Sequence, residues 1–369
     1  MSFELLEKEV IDVGLCQGCA LCVGLCKHII MEKNRPALKD YCILEREGQD
    51  CGKCYQSCPQ ANQKSFESKE PLEIYSLRSK NPEILAKASS GGFVTTFTKD
   101  LLDNQLLSEI VMIQGTDDKP LVGGVVYKRS GNLERLVELT GETFDPVGVV
   151  GVPCEMRGVA KIEEDMNREI LKIGLFCSSQ IFPEKRCGCT LLGEAHLLPP
   201  GGLEKFIEEW EKENKEHAQE EGKRCDTCKQ YCSHCQDFPA IYSDITAGEV
   251  GSQKGYTTVV AWTERGKELV DQSIEKGLFD IGKVNEDDLN AAIKFKSKRE
   301  LLTFEKSPRQ QVLDYITERG STTISEITKN TNLDIKKVRY EALRLTQKML
   351  VEMKVDPELD EPMFSLVCE

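Results

Sequence analysis

The 369-residue sequence predicts an α+β multidomain protein in three parts, residues 1–66, 67–306 and 307–369. Three observations predict it. Cysteines crowd the first part. Short apolar runs alternate with amphipathic helical patterns through the second, as in an α/β domain. Three helical patterns and a turn-linked pair of strand-like runs make up the third. A chain of this length is expected to hold two or three domains and to bury a sizeable core.

The first part carries its chemistry in its spacing. Sixteen of the 17 cysteines fall into groups, and the densest group lies between Cys16 and Cys58. It reads C-x2-C-x2-C-x3-C, then Cys42, then C-x2-C-x3-C-P ending at Cys58-Pro59. A disulfide framework is the plain alternative. The opening residues MSFELLEKEV are charged and amphipathic, with no apolar stretch that would direct the chain to an oxidising compartment. A cytoplasmic chain is therefore expected, with reduced thiols that bind metal. No apolar run reaches the ~18 residues of a membrane span. Soft thiolates favour iron–sulfur clusters or zinc, and this spacing resembles that of two-cluster ferredoxins. In those proteins the fourth cysteine of each run ligates the other cluster. Carried over, Cys16, Cys19, Cys22 and Cys58 hold one [4Fe-4S] cube, and Cys26, Cys42, Cys51 and Cys54 hold the second. Eight residues separate Cys42 from Cys51 where the compact pattern has two, so Ile43–Asp50 is expected to bulge as a loop. Lys27 stands after Cys26 where proline is common.

The formal charge of −14 argues against a general nucleic-acid binder. In the second part, strand-like runs occupy Glu109–Gln114, Leu121–Tyr127, Val147–Val152, Ile170–Phe176 and Tyr256–Trp262. Asn81-Pro82-Glu83 reads as a helix start, with Asn as cap and Pro at the first helical position. Ser89-Ser90-Gly91-Gly92 precedes a helical pattern with Phe93, Phe97, Leu101 and Leu102 on one side. Such a turn offers backbone N–H groups and the positive end of a helix dipole to the pyrophosphate of a flavin nucleotide. A simple turn is the competing reading.

Four separated segments, in order, then carry a resemblance. They are ASSGGFVTT at Ala88–Thr96, VVGVPCE from Val149, KIGLFC from Lys172 and CSHCQDFPAIYSDITAGEVGSQKG at Cys232–Gly255. Together they resemble the coenzyme F420 hydrogenase/dehydrogenase β-subunit family, over roughly Pro71 to Phe279. The resemblance implies a flavin domain that binds FAD, exchanges a hydride with coenzyme F420 and passes single electrons to iron–sulfur clusters. It implies partner subunits of hydrogenase, formate dehydrogenase or heterodisulfide reductase type. The FAD candidates it supplies are Ser90, Gly91, Gly92, Thr95, Gly151 and Pro153. Gly251 and Gly255, with Gly248, lie in a loop where turn formation and cofactor contact compete.

Cys154 and Cys177, each ending a strand-like run, read singly as small buried hydrophobes. The resemblance makes them ligands of a third cluster with Cys232 and Cys235, which match its C-x2-C-x-D element. Cys187, Cys189, Cys225 and Cys228 form a further C-x-C plus C-x2-C set suited to a fourth cubane cluster or a structural zinc. Cys368 stands alone and is assigned no role. Asp237 and Asp244 are expected to cap backbone amides. Lys254 and the charged helix Leu203–Gln219 are expected to face solvent. His28 and His234 read as cluster neighbours, His234 with a tuning hydrogen bond as its functional alternative. No acid–base residue is nominated. The Thr140–Val149 connection is shorter than in the family, and no Gly-Lys-Gly element occurs between Cys177 and Cys232. A non-catalytic electron-transfer adaptor without a deazaflavin pocket is therefore the alternative function.

In the third part, helices are expected at Gln310–Arg319, Ile324–Thr331 and Leu333–Leu350, the last capped by Asp334. Val351–Lys354 and Met363–Val367, joined through DPELDEP, suggest a hairpin, so the whole resembles a winged helix. Lys336, Lys337, Arg339, Arg344 and Lys348 lie on the third helix, where a DNA-reading winged helix would use them. The segment is nonetheless slightly acidic, which favours docking or dimerisation.

Overall fold

The computed structural model describes residues 3–32, 35–47, 51–61, 69–112, 132–142, 145–166, 168–177, 201–209, 235–298, 308–331, 333–347, 351–354 and 362–366. The run Leu121–Tyr127, Cys187, Cys189, Cys225, Cys228, Cys232, His234, Cys368 and the second half of the charged helix lie outside the described residues. The chain divides into two compact units, Met1–Leu6 with Gly14–Leu301, and Glu7–Val13 with Leu302–Glu369.

In the first unit the cysteine-rich segment has little regular structure. Helices α1 (Phe3–Leu6), α2 (Leu21–Leu25), α3 (Ile43–Glu47) and α4 (Lys53–Gln56) are one or two turns long. Strands β1 (Ile29–Glu32) and β2 (Arg35–Leu38) form an antiparallel hairpin. The expected loop after Cys42 is instead helical over Ile43–Glu47. Its Ile-Leu-Glu-Arg-Glu sequence consists mostly of good helix formers.

A seven-stranded sheet follows, built from β3 (Glu73–Ser79), β4 (Glu109–Val111), β5 (Val147–Gly151), β6 (Ile170–Leu175), β7 (Ile245–Gly248), β8 (Thr257–Ala261) and β9 (Phe279–Ile281). Its spatial order is β4-β5-β6-β7-β8-β3-β9. Strands β4 to β7 pair in parallel, β8 runs antiparallel to β7 and β3, and β9 runs antiparallel to β3. Strands β3 to β7 thus all end at one edge, where β8 begins. Strand β7 has the unpromising sequence Ile-Thr-Ala-Gly and is held by neighbours on both sides. That pairing, rather than intrinsic propensity, makes it a strand.

Side chains alternate between the faces. On one face α6 (Phe93–Asp103) and α10 (Glu264–Glu275) cover Leu77, Val150, Leu171, Ile173, Ile245, Ala247 and Val259. Phe93 and Phe97 stack there at 5.0 Å, one helical turn apart. On the other face α7 (Asn132–Glu142) and α8 (Pro153–Met166) pack over Val147, Val149 and Ile170. Farther along that face, the helix at 203–209 (α9) and α11 (Glu286–Ser297) cover Val260 and Trp262. Helix α5 (Pro82–Leu85) starts as its residues predict: Asn81 Oδ1 accepts from Glu83 N at 2.9 Å and Ile84 N at 3.3 Å.

The second unit comprises a π-helical turn at Glu7–Ile11, α12 (Pro308–Arg319), α13 (Ile324–Asn330), α14 (Ile335–Gln347) and an antiparallel sheet ordered β10 (Ser321–Thr323), β12 (Met363–Leu366), β11 (Val351–Lys354). Thr323 and Glu326 form a reciprocal cap on α13. Asp334 Oδ1 accepts from Lys337 N at 3.0 Å and caps α14, which begins two residues later than its pattern suggested. Val312, Ile316, Ile327, Val338, Ala342 and Phe364 fill this unit's core.

Replacing Phe97 with Ala removes a fully buried ring from the sheet's first face. It is expected to cost about 3–5 kcal/mol, read from the midpoint of chemical denaturation.

Candidate functional site

Three groups of thiols and one glycine turn make up the candidate site. The eleven described cysteines are in no disulfide. In the cysteine-rich segment the backbone turns sharply at Gly14, Gly18, Ala20 and Gly52, all with positive φ. Those turns fold two sequence-distant stretches together. Burial is the main cause that pushes the Cys19 thiol up to about 12, and the next is the neighbouring charge of Cys58, with Cys16 adding to it. Cys22 is raised well above its ordinary value by burial, then by Cys19, Cys58 and Cys16. Cys54 is pushed up to about 12 by burial and by Cys42, Cys26 and Cys51. Cys16, Cys19, Cys22 and Cys58 thus lie within electrostatic reach of one another, and Cys26, Cys42 and Cys51 within reach of Cys54. Cys54 is also felt by Cys22, so the sets adjoin. Among the described residues no three His, Cys, Asp or Glu side chains converge as closely as a single ion requires. The donor chemistry nevertheless fits a cluster: four soft sulfurs that repel one another as thiolates need a shared cation to ionise together.

Polar neighbours frame the first set. Gln60 Nε2 donates to Gln17 Oε1 at 3.1 Å, and the Gln17 side chain interacts with Cys19 to favour its thiolate. Lys161 of α8 donates to the carbonyls of Cys58 at 2.6 Å and Ala61 at 3.2 Å. Gly158, one turn earlier, lies against Leu21 and Pro59: a Cβ there would stand 3.0 Å and 3.5 Å from their side chains. Cys154, Gly158 and Lys161 recur at helical spacing, so one face of α8 carries a third-set cysteine at its start and the first set farther along. His28 Nδ1 pairs with Asp40 at 2.7 Å, and its ring lies 4.8 Å from that of Tyr41.

Of the third set, Cys154 and Cys177 lie at the edge where the parallel strands end, and Cys235 opens a loop that reaches Cys177. Cys154 follows Pro153 at the start of α8, directly after β5, and Cys177 follows β6. Cys177 N donates to Phe238 O at 3.1 Å, and Cys235 Sγ lies 3.7 Å from Asp237 O. Asp237 is fully buried, accepts from Ile241 N at 3.4 Å and feels the charges of Arg157 and Lys296. The loop after Cys235 thus faces both Cys177 and the first turn of α8. Asp244 caps Lys172 N at 2.8 Å and accepts from Thr263 Oγ1 at 3.0 Å, away from any ligand role. Lys254 is exposed, as expected.

The glycine turn shares that edge. Gly92, with φ +71°, precedes α6, whose first turn receives no side-chain cap, and Thr95 is exposed there. Gly91 has a different task. Its N–H donates to Thr257 Oγ1 at 3.0 Å, Ser90 Oγ lies 2.9 Å from the same hydroxyl, and a Cβ on Gly91 would meet Leu77 O at 2.4 Å. Gly91 therefore lets the turn press against β3 and β8. Gly151 makes room for the buried Glu155 carboxyl, whose Oε2 a Cβ would approach to 2.5 Å. That carboxyl accepts from Val152 N at 3.0 Å, and burial pushes it up to about 7. Gly251 has φ +93° and its carbonyl accepts from Asn285 N at 2.7 Å, while Gly255 has φ +83° with Arg78 Nη1 3.1 Å from where its Cβ would be. Thr257, Lys161 and Lys296 escaped sequence reasoning. Gln17 and Gln60, adjacent to motif residues, were within its reach.

The family described as coenzyme F420 hydrogenase/dehydrogenase, beta subunit, matches by its N-terminal model over residues 74–151 and its C-terminal model over residues 144–287. A coenzyme F420-dependent sulfite reductase of Methanocaldococcus jannaschii is 26% identical over 306 residues, 72% of this chain and 47% of that protein. The match thus spans about half the length of that relative. A subunit of the F(420)H(2) dehydrogenase of Methanosarcina mazei is 23% identical over 71% of this chain and 83% of its own length. The coenzyme F420 hydrogenase subunit beta of Methanococcus voltae is 26% identical over 64% of this chain and 92% of its own.

The raised thiols set a pH dependence. A thiol whose folded value exceeds its unfolded value stabilises the metal-free fold below the unfolded value and loses that contribution as pH rises. Metal-free protein is therefore expected to lose stability above about pH 9, the ordinary thiol range, as Cys19, Cys22, Cys54 and Cys58 are forced to ionise. Denaturation midpoints between neutral and alkaline pH check this, and a midpoint that rises across that window contradicts it.

Proposed function

We propose that this chain, which belongs to the coenzyme F420 hydrogenase/dehydrogenase β-subunit family, is a flavin and iron–sulfur oxidoreductase subunit that couples hydride exchange with coenzyme F420 to one-electron transfer. The carrying observation is the common edge of the sheet. The Ser90–Gly92 turn, Gly151, Pro153-Cys154, Cys177 and the Gly251–Gly255 loop all follow or precede strands there. In open α/β sheets ligands bind outside the carboxyl ends of the strands. When bound, FAD supplies two-electron hydride chemistry and the cubane clusters carry electrons singly. The chain's own residues bind and orient. The uncapped first turn of α6 offers N–H groups to an anionic tail, with Thr95 beside them. Cys154, Cys177, Cys232 and Cys235 are assigned to a cluster next to the flavin. Cys16, Cys19, Cys22 and Cys58, and Cys26, Cys42, Cys51 and Cys54, are assigned to two further [4Fe-4S] clusters facing a partner subunit.

The relatives named as hydrogenase and formate dehydrogenase beta subunits support a place in a larger redox complex. Among the described residues no helix is long and apolar enough to cross a membrane. The C-terminal part is assigned a winged-helix-like docking role. A second reading, an electron-transfer adaptor without the deazaflavin pocket, is favoured by the short Thr140–Val149 connection and the lack of a Gly-Lys-Gly element between Cys177 and Cys232.

Anaerobically purified chain with its clusters and flavin is expected to reduce a viologen acceptor as reduced coenzyme F420 is oxidised, and to run the reverse exchange from reduced viologen. Replete protein that is inactive in both directions selects the adaptor. Separately, Cys225→Ser with Cys228→Ser is expected to lower iron or zinc per chain relative to the wild type. Unchanged iron and zinc remove both the fourth-cluster and the zinc assignments.

A further inference from the structure

A lysine is almost never fully buried unless its charge is matched. Lys296, in the last turn of α11, has a relative exposure of 1%. It lies beyond residue 287, where the family match ends. Its Nζ donates to the carbonyl of Cys177 and, at 2.8 Å, to the carbonyl of Asp237. Those carbonyls belong to two loops far apart in sequence, one ending β6 at Cys177 and the other following Cys235. A single cationic head thus joins the two loops that carry third-set cysteines. Nearby stand the buried Asp237 carboxylate, whose Oδ2 has no hydrogen-bond partner among the described residues, and the guanidinium of Arg157, which lies 5.4 Å from the Tyr242 ring centroid.

We propose that Lys296 is the positioning residue of the third cysteine set, clamping the Cys177 and Cys235 loops and holding a positive charge beside the anionic four-thiolate cluster. The inference rests on the assignment of a cluster to Cys154, Cys177, Cys232 and Cys235, and it adds what keeps that cluster in place and sets its potential. A cation in a low-dielectric site favours the more negative, reduced form of its neighbour. Removing it lowers the reduction potential. Lys161, which donates to the Cys58 carbonyl, places a lysine against the first set in the same way.

The test uses full-length, cluster-loaded protein and three variants. Lys296→Gln keeps a short hydrogen-bond donor and removes the charge, Lys296→Arg keeps the charge, and Cys235→Ala probes the cluster itself. Iron per chain and the midpoint potential of each cluster, followed by electron paramagnetic resonance during redox titration, are the readouts. Lys296→Gln is expected to lower one midpoint by an amount equal to about a tenfold weaker reduction equilibrium, ~59 mV for one electron, or to lose that cluster's iron. Lys296→Arg is expected to recover both. Midpoints and iron unchanged in Lys296→Gln, while Cys235→Ala loses a cluster, overturn the role of Lys296 and leave the third cluster standing. Equal loss in the Gln and Arg variants reduces Lys296 to packing and also overturns the proposal. Iron unchanged in Cys235→Ala overturns the cluster assignment on which it rests.

Discussion

Buried thiols resist ionisation, and several buried together resist it more, because each new thiolate is repelled by the last. The cysteine-rich segment folds so that this cost is built in. Its turns at Gly14, Gly18, Ala20 and Gly52 press eight thiols into two adjoining sets, and its apolar residues Leu21 and Leu25 dock on α7 and α8 rather than forming a core of their own. The segment also buries Leu15, Ile29, Tyr55 and Ala61. It depends on what compensates the thiolates and on helix α8, which anchors it through Gly158 and Lys161. Helix α8 also carries Cys154 in its first turn, so any change that moves it acts on two cysteine sets at once.

The sheet gives that helix its position. β5 is buried along its whole length, with Val147 and Val149 on one face and Val150 on the other. It fixes where α8 begins and therefore where Cys154 stands. The neighbouring parallel strands β6 and β7 bring Cys177 and the Gly248–Gly255 loop to the same edge, while antiparallel β8 returns Thr257 to it. Thr257 then engages Ser90 and Gly91, locking the glycine turn against the sheet. Close backbone approach explains Gly91, and admission of a buried carboxyl explains Gly151. Neither glycine needs a ligand to account for it. The free first turn of α6 is the part of the turn that still offers donors.

Much of this is legible in the residues alone. Strands β4, β5, β6 and β8 stand inside the apolar runs that announce them, Asn81 caps α5, and the three C-terminal helices lie within about two residues of their patterns. Strands β3, β7 and β9 are not, because short or polar sequences such as Ile-Thr-Ala-Gly become strands only through partners on either side. The helix at Ile43–Glu47 hides behind ligand spacing, which draws attention away from local propensity.

By itself the sequence determined which residues carry soft ligands, since cysteine spacing is local and a C-x2-C repeat is readable without a fold. It also determined the family, whose motifs stand in order along the chain. Only the tertiary structure decided what surrounds the thiols, because their neighbours arrive across turns and across strands. It alone singled out Lys161 and Lys296 as well. Nothing in an ordinary Lys-Phe-Lys stretch marks a lysine for burial. Its role appears only when two distant carbonyls, each beside a cysteine, converge on one ammonium.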